Sequence, residues 1–266
     1  RSGLRPLRNM SEIAASVSAS SLTTRLPHQE MPAELAELSQ AFNAMLGRLD
    51  DAFQRLSAFS ADIAHELRTP LSNLLTHTQV TLTRPRDREE YREALLGNLE
   101  EMQWMAQMVN DMLYLAKAEH GLLNPDRERL QLADETDALL EFFLPLAEEA
   151  DVSLSREGEA TLAGDRHMLR RALSNLLDNA LRFTPAQGRV AVKLESSVQR
   201  VRIGIENTGP TIPAEALPRL FDRFYRADPA RHEGSSEHAG LGLAITQSII
   251  KSHGGTIRCE SREGVT

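Results

Sequence analysis

Two long stretches in the first half of the chain carry apolar residues at steps of three and four. This heptad spacing indicates helices that each bury one face against a partner helix. The turn-like stretch TRPRDR at 83–88 separates them, so together they predict a helical hairpin. The first series is Phe42, Leu46, Leu49, Phe53, Leu56, Ser60, Ile63, Leu67, Pro70 and Leu74, and the second is Tyr91, Leu95, Leu99, Met102, Ala106, Val109, Leu113 and Ala116.

A single hairpin of this kind would leave much of each apolar seam in water. Two copies of the hairpin form an antiparallel four-helix bundle that buries the seams, so we expect a homodimer. An extended coiled coil without chemistry is the alternative interpretation of the same spacing. Upstream, residues 4–22 and 31–49 show two shorter helical patterns joined by the irregular TTRLPHQE, which predict a coupling element.

From about residue 124 the pattern changes to short β runs that alternate with helical ones. RVAVKLE at 189–195 and RVRIGIE at 200–206 alternate apolar and polar residues, which predicts two neighbouring strands with one buried face. One flanking helix is predicted to begin after Asp165 as its N-cap and to end before Pro185. Another starts in glycines at 240–242 and stops at Gly254 and Gly255. These elements predict an α/β layered domain, with a further strand beginning near 256.

The charge and composition of the chain argue against several classes of partner and of protein. The chain has 30 basic and 38 acidic side chains and a formal charge of −8, so it offers no overall basic field for nucleic acid or anionic lipid. Its single cysteine excludes an internal disulfide, and no apolar run approaches the roughly 20 residues that span a bilayer. Both ends fall inside recognisable patterns, so we expect the chain to be part of a longer protein.

The helix after Asp165 has two different faces. Leu169, Leu173, Leu176 and Ala180 form the predicted buried stripe, while Asn175, Asn179 and Arg182 share another face. Such a polar stripe is most often only a solvated surface. Here ENTGPTIP follows directly on a strand, and the glycines of EHAGLGLAI lie where free helical N–H groups can bind phosphate. Because amide oxygens can join phosphates as Mg²⁺ ligands, the combination predicts a nucleotide pocket.

Five motifs in the same order resemble the H, N, G1, F and G2 boxes of the sensor histidine kinases of two-component systems. They are HELRTPL at 65–71, NLLDNALRFT at 175–184, ENTGPTIP at 206–213, LPRLFDRFYRAD at 217–228 and GLGLAI at 240–245. The resemblance covers the whole chain. The FDRFYRADPAR run and the asparagine of the G1 box also resemble the heavy-metal branch of the family, which includes copper and silver responders.

The resemblance implies an α+β multidomain fold in three parts. Residues 1–54 resemble an N-terminally incomplete HAMP signal relay, a helical coiled coil. Residues 55–123 resemble the dimerisation and histidine phosphotransfer domain, whose antiparallel hairpin forms a dimeric four-helix bundle. Residues 124–266 resemble the catalytic α/β sandwich of the Hsp90-like (GHKL) ATPases, C-terminally incomplete, and the polar stretch 227–239 resembles its ATP lid.

A histidine lies outside the apolar seam of the first long helix. At about 100° per residue, His65 lies about 200° from both Ile63 and Leu67, so its imidazole projects away from the seam. An imidazole is largely uncharged at pH 7 and offers a nucleophilic nitrogen without a buried base. An inert surface histidine is the alternative. The resemblance implies that Nε2 attacks the γ-phosphate of ATP, that Glu66 accepts the proton from the other ring nitrogen, and that Thr69 helps to orient water when the partner is dephosphorylated.

The resemblance also implies ATP and Mg²⁺ as ligands of the third domain, with Asn179 as the metal ligand. Its nucleotide-binding positions correspond to Asn175, Asn179, Arg182, Phe183, Asn207, Gly209, Gly240, Leu241 and Gly242. The chain departs from the usual boxes at several of them. Asn207 replaces an aspartate that accepts a hydrogen bond from the adenine amino group, and its amide oxygen can still accept that bond. Thr211 replaces a glycine, while Arg182 and Phe183 replace the common lysine and tyrosine.

These features predict a homodimeric sensor kinase that uses MgATP to phosphorylate His65 and passes the phosphoryl group to an aspartate of a response regulator, with phosphatase activity as well. The alternative is a dimeric scaffold or phosphatase that keeps the fold and has lost kinase turnover through Asn207 and Thr211. A chaperone-type or mismatch-repair-type ATPase is disfavoured by the hairpin with its HELRTP run. We expect the cytoplasmic portion of an inner-membrane protein, with no nucleic-acid partner and with membrane contact only through segments outside this chain.

Overall fold

The computed structural model describes residues 25, 33–226, 240–262 and 264–265. It divides into two compact units, Arg1–Ser72 and Asn73–Thr266, each of which is considered by itself. The shorter helical pattern predicted at 4–22 and the predicted ATP lid at 227–239 lie outside the described residues. Among the helices that are described, none combines the length and the low charge needed to cross a bilayer.

The first unit consists, where it is described, mainly of helix α1. This helix runs from Ala33–Leu82 without interruption, so it passes the predicted domain boundary at 54 and continues through Pro70 into the second unit. In the predicted apolar seam, Leu49, Phe53 and Leu56 are exposed in the single chain, whereas Leu46 is buried. The predicted helix is therefore confirmed, and several members of its apolar face have no cover within one copy.

The second unit begins with the hairpin formed by the end of α1 and helix α2, Arg88–Glu119. A capping box starts α2, because the Asp87 carboxylate accepts from Glu90 N at 2.8 Å while the Glu90 carboxylate accepts from Asp87 N at 3.1 Å. Across the turn, Asn98 Nδ2 donates to Thr78 Oγ1 at 3.0 Å, and Asn98 Oδ1 lies 3.1 Å from His77 Nδ1. The predicted antiparallel hairpin is confirmed.

An α/β domain follows, as the alternating pattern predicted. Strands β1, Glu128–Gln131, and β3, Thr161–Gly164, pair antiparallel. Strand β2, Ser153–Gly158, runs parallel to β4, Arg189–Ser196, which pairs antiparallel with β5, Val201–Asn207. The helices are α3, Leu132–Glu149, α4, Arg166–Phe183, and α5, Gly242–Ser252, and a short 3₁₀ helix spans Leu217–Arg219.

The core lies between one face of the three-stranded sheet and helices α3 and α4. Val190, Val192 and Leu194 alternate along β4 as buried residues because every second side chain points to the helices. Partly buried residues of β5, Val201, Ile203 and Ile205, pack against the same cluster. The helical side of this cluster consists of Leu132, Leu139, Phe143 and Ala147 from α3 and Leu173, Leu177, Ala180 and Leu181 from α4.

Two expectations about the domain were wrong in detail. The buried stripe of α4 continues through Leu177, which is fully buried, whereas Leu176 is only half-buried, because the stripe advances by four residues after Leu173. No strand forms at 256–260 among the described residues. Ile257 and Cys259 alternate in burial with their neighbours as a strand would, but only isolated bridges at Thr208, Arg262 and Val265 occur near this segment.

Candidate nucleotide site and phospho-acceptor helix

Helix α4 carries most of the predicted nucleotide-binding residues and is anchored at its start. Asp165 Oδ1 accepts from Met168 N at 3.0 Å as the predicted N-cap, and Oδ2 accepts from Asp126 N at 3.0 Å. The backbone hydrogen bond from Met168 lowers the pKa of Asp165. At the same end, Asp165 N donates to Nε2 of His253, so the end of α5 is tied to the beginning of α4. This anchoring fixes the face that α4 presents beside α5.

The polar stripe of α4 is neither in the core nor fully in solvent. Asn175, Asn179 and Arg182 are all half-buried, while Phe183 at the end of the helix is exposed. The guanidinium of Arg182 lies 5.9 Å from the centroid of the Phe183 ring. The stripe is thus partly covered by neighbouring elements and not freely solvated.

The beginning of α5 packs against the first asparagine of this stripe. Asn175 Nδ2 donates to Gly242 O at 3.1 Å, and Thr246 Oγ1 donates to the same carbonyl at 2.9 Å. Leu241 is 2% exposed, so its side chain belongs to the core and only its backbone is placed to meet a ligand. No side chain of the described residues caps the first turn of α5, so its first N–H groups are not used by a cap and are of the kind that binds anions at helix starts.

The turn before α5 needs glycine at one position. Gly240 has a φ of +68°, in the left-handed region, and a Cβ there would lie 3.0 Å from backbone atoms of Phe224. Its carbonyl accepts from Phe224 N at 3.1 Å. Two separate constraints therefore exclude a side chain at Gly240, and the chain enters α5 in a defined direction.

The end of β5 packs against the opposite end of α4. Side chains alternate along a strand, so Asn207 shares the face of Ile203 and Ile205 and points toward the helical layer. A Cβ at Gly209 would lie only 2.8 Å from Phe183 O and 3.3 Å from Asn207 Nδ2, which shows how closely this turn approaches α4. Nearby Thr211 directs its hydroxyl to Arg262 O at 3.5 Å.

Helix α4 therefore joins the two glycine turns. Asn175 contacts the α5 turn, Phe183 contacts the β5 turn, and the two residues lie two helical turns apart, about 12 Å along the axis. Asn179 lies midway between them. The structure thus places residues of the G1 and G2 boxes next to the N-box helix α4; the roles of these residues in nucleotide binding stay predictions.

The residues of this region suit Mg²⁺ only together with phosphate. The described part of the chain contains no cluster of three or more histidine, cysteine or acidic side chains that could hold a metal by itself. Asn179 offers a neutral oxygen, and Mg²⁺ commonly binds few protein ligands when phosphates and waters complete its shell. The donor set therefore fits a metal that arrives with a nucleotide.

On α1, the predicted phospho-acceptor residues lie apart from the apolar seam. His65 and Thr69 are exposed, whereas Ile63 and Leu67 on either side of His65 along the seam are half-buried. Glu66, the next residue in the sequence, is half-buried. The outward direction predicted for His65 agrees with its exposure, and the chemical roles of the three residues stay predictions.

Sequence reasoning missed a polar cluster between α2 and α4. Arg171 pairs with Asp111, which also accepts from Gln107 Nε2 at 2.8 Å, and the Arg171 guanidinium lies 4.4 Å from the centroid of the Tyr114 ring. Arg223 pairs with Glu119 at the end of α2. Sixty residues separate Asp111 from Arg171, so no local pattern could have revealed this contact.

Comparison with known families agrees with this arrangement. Residues 1–51 match the HAMP domain, residues 55–121 match the His Kinase A (phospho-acceptor) domain, and residues 164–266 match the histidine kinase-, DNA gyrase B-, and HSP90-like ATPase. The chain belongs to the sensor histidine kinases.

Individual relatives support the same assignment over nearly the whole chain. The probable sensor protein PcoS of Escherichia coli is 49% identical over 263 residues, which are 98% of this chain and 56% of PcoS. Sensor histidine kinase CusS of Escherichia coli K12 is 46% identical over 260 residues, covering 97% of this chain and 54% of CusS. The chain spans about half the length of these relatives. Among solved structures, full-length ShkA in complex with AMPPNP matches with a TM-score of 0.58 and 25% identity over 77% of this chain and 43% of ShkA.

Proposed function

We propose that this chain is the kinase portion of a sensor histidine kinase that phosphorylates His65 from MgATP. The observation that carries the proposal is that α4 joins both glycine turns, through Asn175 to Gly242 and through Phe183 to Gly209. The exposed imidazole of His65 and the match to the phospho-acceptor domain support the acceptor half of the reaction. The ATPase match and the AMPPNP complex of ShkA support ATP as the donor.

In the proposed reaction, Nε2 of His65 attacks the γ-phosphorus. The N–P bond forms as the bond to the β,γ-bridging oxygen breaks, and ADP leaves. Glu66 takes the proton that the other ring nitrogen gives up. The N–H groups of the first turn of α5 would hold the phosphates, and Asn179 would hold Mg²⁺, which supplies positive charge to neutralise them. The Asn207 amide oxygen accepts from the adenine amino group.

We further propose that the phosphoryl group passes from His65 to an aspartate of a response regulator and that the same dimer removes it with help from Thr69. We also propose the domain division 1–54, 55–123 and 124–266; the HAMP and phospho-acceptor matches end at 51 and 121, near its first two boundaries, and the ATPase match covers 164–266 of the third part. The HAMP match supports a place at the cytoplasmic side of an inner membrane. We also propose the narrower assignment to the heavy-metal branch, which the FDRFYRADPAR run and the asparagine of the G1 box support.

The homodimer is supported by an apolar stripe on α2. Five of its predicted seam residues are between 40 and 67% exposed in the single chain, although their heptad spacing is that of a buried face. They are Leu95, Leu99, Met102, Val109 and Leu113. A second copy of the hairpin would cover them.

The direct test is labelling with γ-labelled ATP and Mg²⁺. We expect an acid-labile, alkali-stable label that is lost in His65→Gln and retained in His77→Gln, a matched control because His77 is another exposed histidine of α1. Label that survives His65→Gln would refute the assigned acceptor. Nucleotide binding without any label would favour the alternative, a scaffold or phosphatase altered at Asn207 and Thr211.

A further inference from the structure

The two asparagines of the α4 stripe differ in what their side chains already contact. Asn175 Nδ2 donates to Gly242 O at 3.1 Å across the interface between α4 and α5. For Asn179, no hydrogen bond of the amide occurs among the described residues. The two residues have the same chemistry and lie one turn apart, so a shared role as oxygen ligands does not account for this difference.

The two hydrogen bonds accepted by the carbonyl of Gly242 differ in which elements they connect. It accepts from two side chains, and a carbonyl oxygen has two lone pairs. The bond from Thr246 Oγ1 lies within α5 and moves with that helix. The bond from Asn175 is the one of the two that connects α5 to a different element.

The direction of the first turn of α5 matters because its N–H groups bind anions only when they point at them. Gly242 is the first residue of α5, and no described side chain caps the helix. On the other side, the chain enters through Gly240, whose carbonyl is held by Phe224 N. A displacement of about 1 Å in such a positioning element is enough to cost on the order of 100-fold in rate.

We propose that Asn175 is a positioning residue of the nucleotide site, whose amide nitrogen holds Gly242 O and so directs the first turn of α5 at the phosphates, while Asn179 is the asparagine that meets the metal. This rests on the proposed function, in which that turn binds ATP. The essential group of Asn175 is then its NH₂ donor, and the essential group of Asn179 is its oxygen.

Asparagine-to-aspartate substitutions separate the two roles. Aspartate keeps the size of the side chain and an oxygen ligand for Mg²⁺ but removes the NH₂ donor. In Asn175→Asp, a carboxylate oxygen would face Gly242 O, and two acceptors repel. We expect Asn175→Asp and Asn175→Ala to weaken Mg²⁺-dependent AMPPNP binding to a similar degree, about tenfold or more, by calorimetry. In Asn179→Asp, binding stays Mg²⁺-dependent, whereas Asn179→Ala loses it. Binding by Asn175→Asp within about twofold of the parent chain would overturn the proposal.

A measurement without nucleotide distinguishes this proposal from the proposed function. Ile245 N donates to Leu241 O at 2.9 Å in the first turn of α5, so its amide exchange reports on the order of that turn. We expect exchange about tenfold faster in Asn175→Asp and unchanged in Asn179→Asp. The matched control Thr246→Val removes the other bond to Gly242 O and should stay within about twofold.

Nucleotide binding and amide exchange together test both the positioning role of Asn175 and the proposed function. Faster exchange in Asn175→Asp without nucleotide binding by any variant, the parent included, supports the positioning contact and contradicts the proposed function. Unchanged exchange in Asn175→Asp contradicts the positioning role, whatever the kinase assay gives.

Discussion

Replacing Arg171 with methionine should destabilise the unit Asn73–Thr266 because the substitution leaves a partly buried carboxylate without its cation. Arg171 pairs with Asp111 of α2 and lies over the Tyr114 ring. The side chains of Arg171 and Asp111 are 30% and 20% exposed. Burial raises the pKa of Asp111 even though Arg171 attracts the carboxylate and Gln107 hydrogen-bonds to it. The carboxylate is thus already partly desolvated before its partner is removed.

The partial exposure of Arg171 and Asp111 determines how much free energy of unfolding Arg171→Met should lose. Exposed ion pairs contribute about 0 to 1 kcal/mol, whereas removing one partner of a fully buried pair costs about 3 to 5 kcal/mol. This pair lies between these limits, so we expect a loss of about 2 kcal/mol, with about 0.5 kcal/mol more from the cation–ring contact with Tyr114. Asp111→Asn combined with Arg171→Met should recover part of the loss, because the neutral amide costs less to bury.

The raised pKa of Asp111 determines how the free energy of unfolding changes with pH. The folded-state pKa of Asp111 lies above its ordinary value of 3.8, so the folded chain binds more protons than the unfolded chain between these two values. The free energy of unfolding therefore falls as the pH rises through the folded pKa and levels off above it. Removal of the Arg171 charge raises that pKa further, so the deficit of Arg171→Met should be largest at neutral pH and shrink toward pH 4.

Urea denaturation followed by circular dichroism at neutral and mildly acidic pH measures these differences. Arg202→Met is the surface control, because Arg202 pairs with Glu195 at 3.7 Å and both side chains are more than 60% exposed; its effect should stay within about 0.5 kcal/mol. An Arg171→Met variant as stable as Arg202→Met at pH 7, or one whose deficit grows in acid, would refute the reasoning.

Three further predictions follow from other contacts. The Tyr114 hydroxyl is buried and has no hydrogen-bond partner among the described residues, so Tyr114→Phe should raise the free energy of unfolding by about 1 kcal/mol; a loss of that size in urea denaturation would contradict this. Gly240→Ala should cost about 1 to 3 kcal/mol, because of its positive φ, and Gly242→Ala less than about 0.5, since a Cβ there has room; the reverse order in thermal unfolding would refute both. Leu99→Lys should convert the proposed dimer to a monomer in light scattering, while the control Val198→Lys, at an exposed site off the stripe, should not; a Leu99→Lys dimer argues against the stripe as the interface.

Local signals in the sequence predicted the elements well. Asp165 was predictable as an N-cap because its carboxylate bonds a backbone N–H only three residues away. Alternation along β4 predicted its buried face, since period two is a property of any strand. The one-residue difference between Leu176 and Leu177 was not predictable, because adjacent positions of a helix can each face one of several packed neighbours.

Contacts between distant segments could not be predicted. The bond from Asn175 to Gly242 joins residues 67 positions apart and depends on how α4 packs against α5. The sequence placed Asn175 and Asn179 on one stripe, and the resemblance gave the metal to Asn179, but only the packing shows that Asn175 bonds to the start of α5. The segment near 256 kept the alternation of a strand without its ladder, because a strand also needs a neighbouring backbone to pair with.

Because α1 is uninterrupted, the number of residues before His65 determines the direction in which its side chain leaves the helix axis. From Ala33 to His65 the helix advances about 48 Å, and each residue turns it by about 100°. One inserted residue anywhere in that length would swing the imidazole through more than a quarter circle, whereas seven would return it to within about 20° of its original bearing. An insertion or deletion upstream in α1 would therefore reorient the acceptor nitrogen about the helix axis unless its length is close to a whole number of turns.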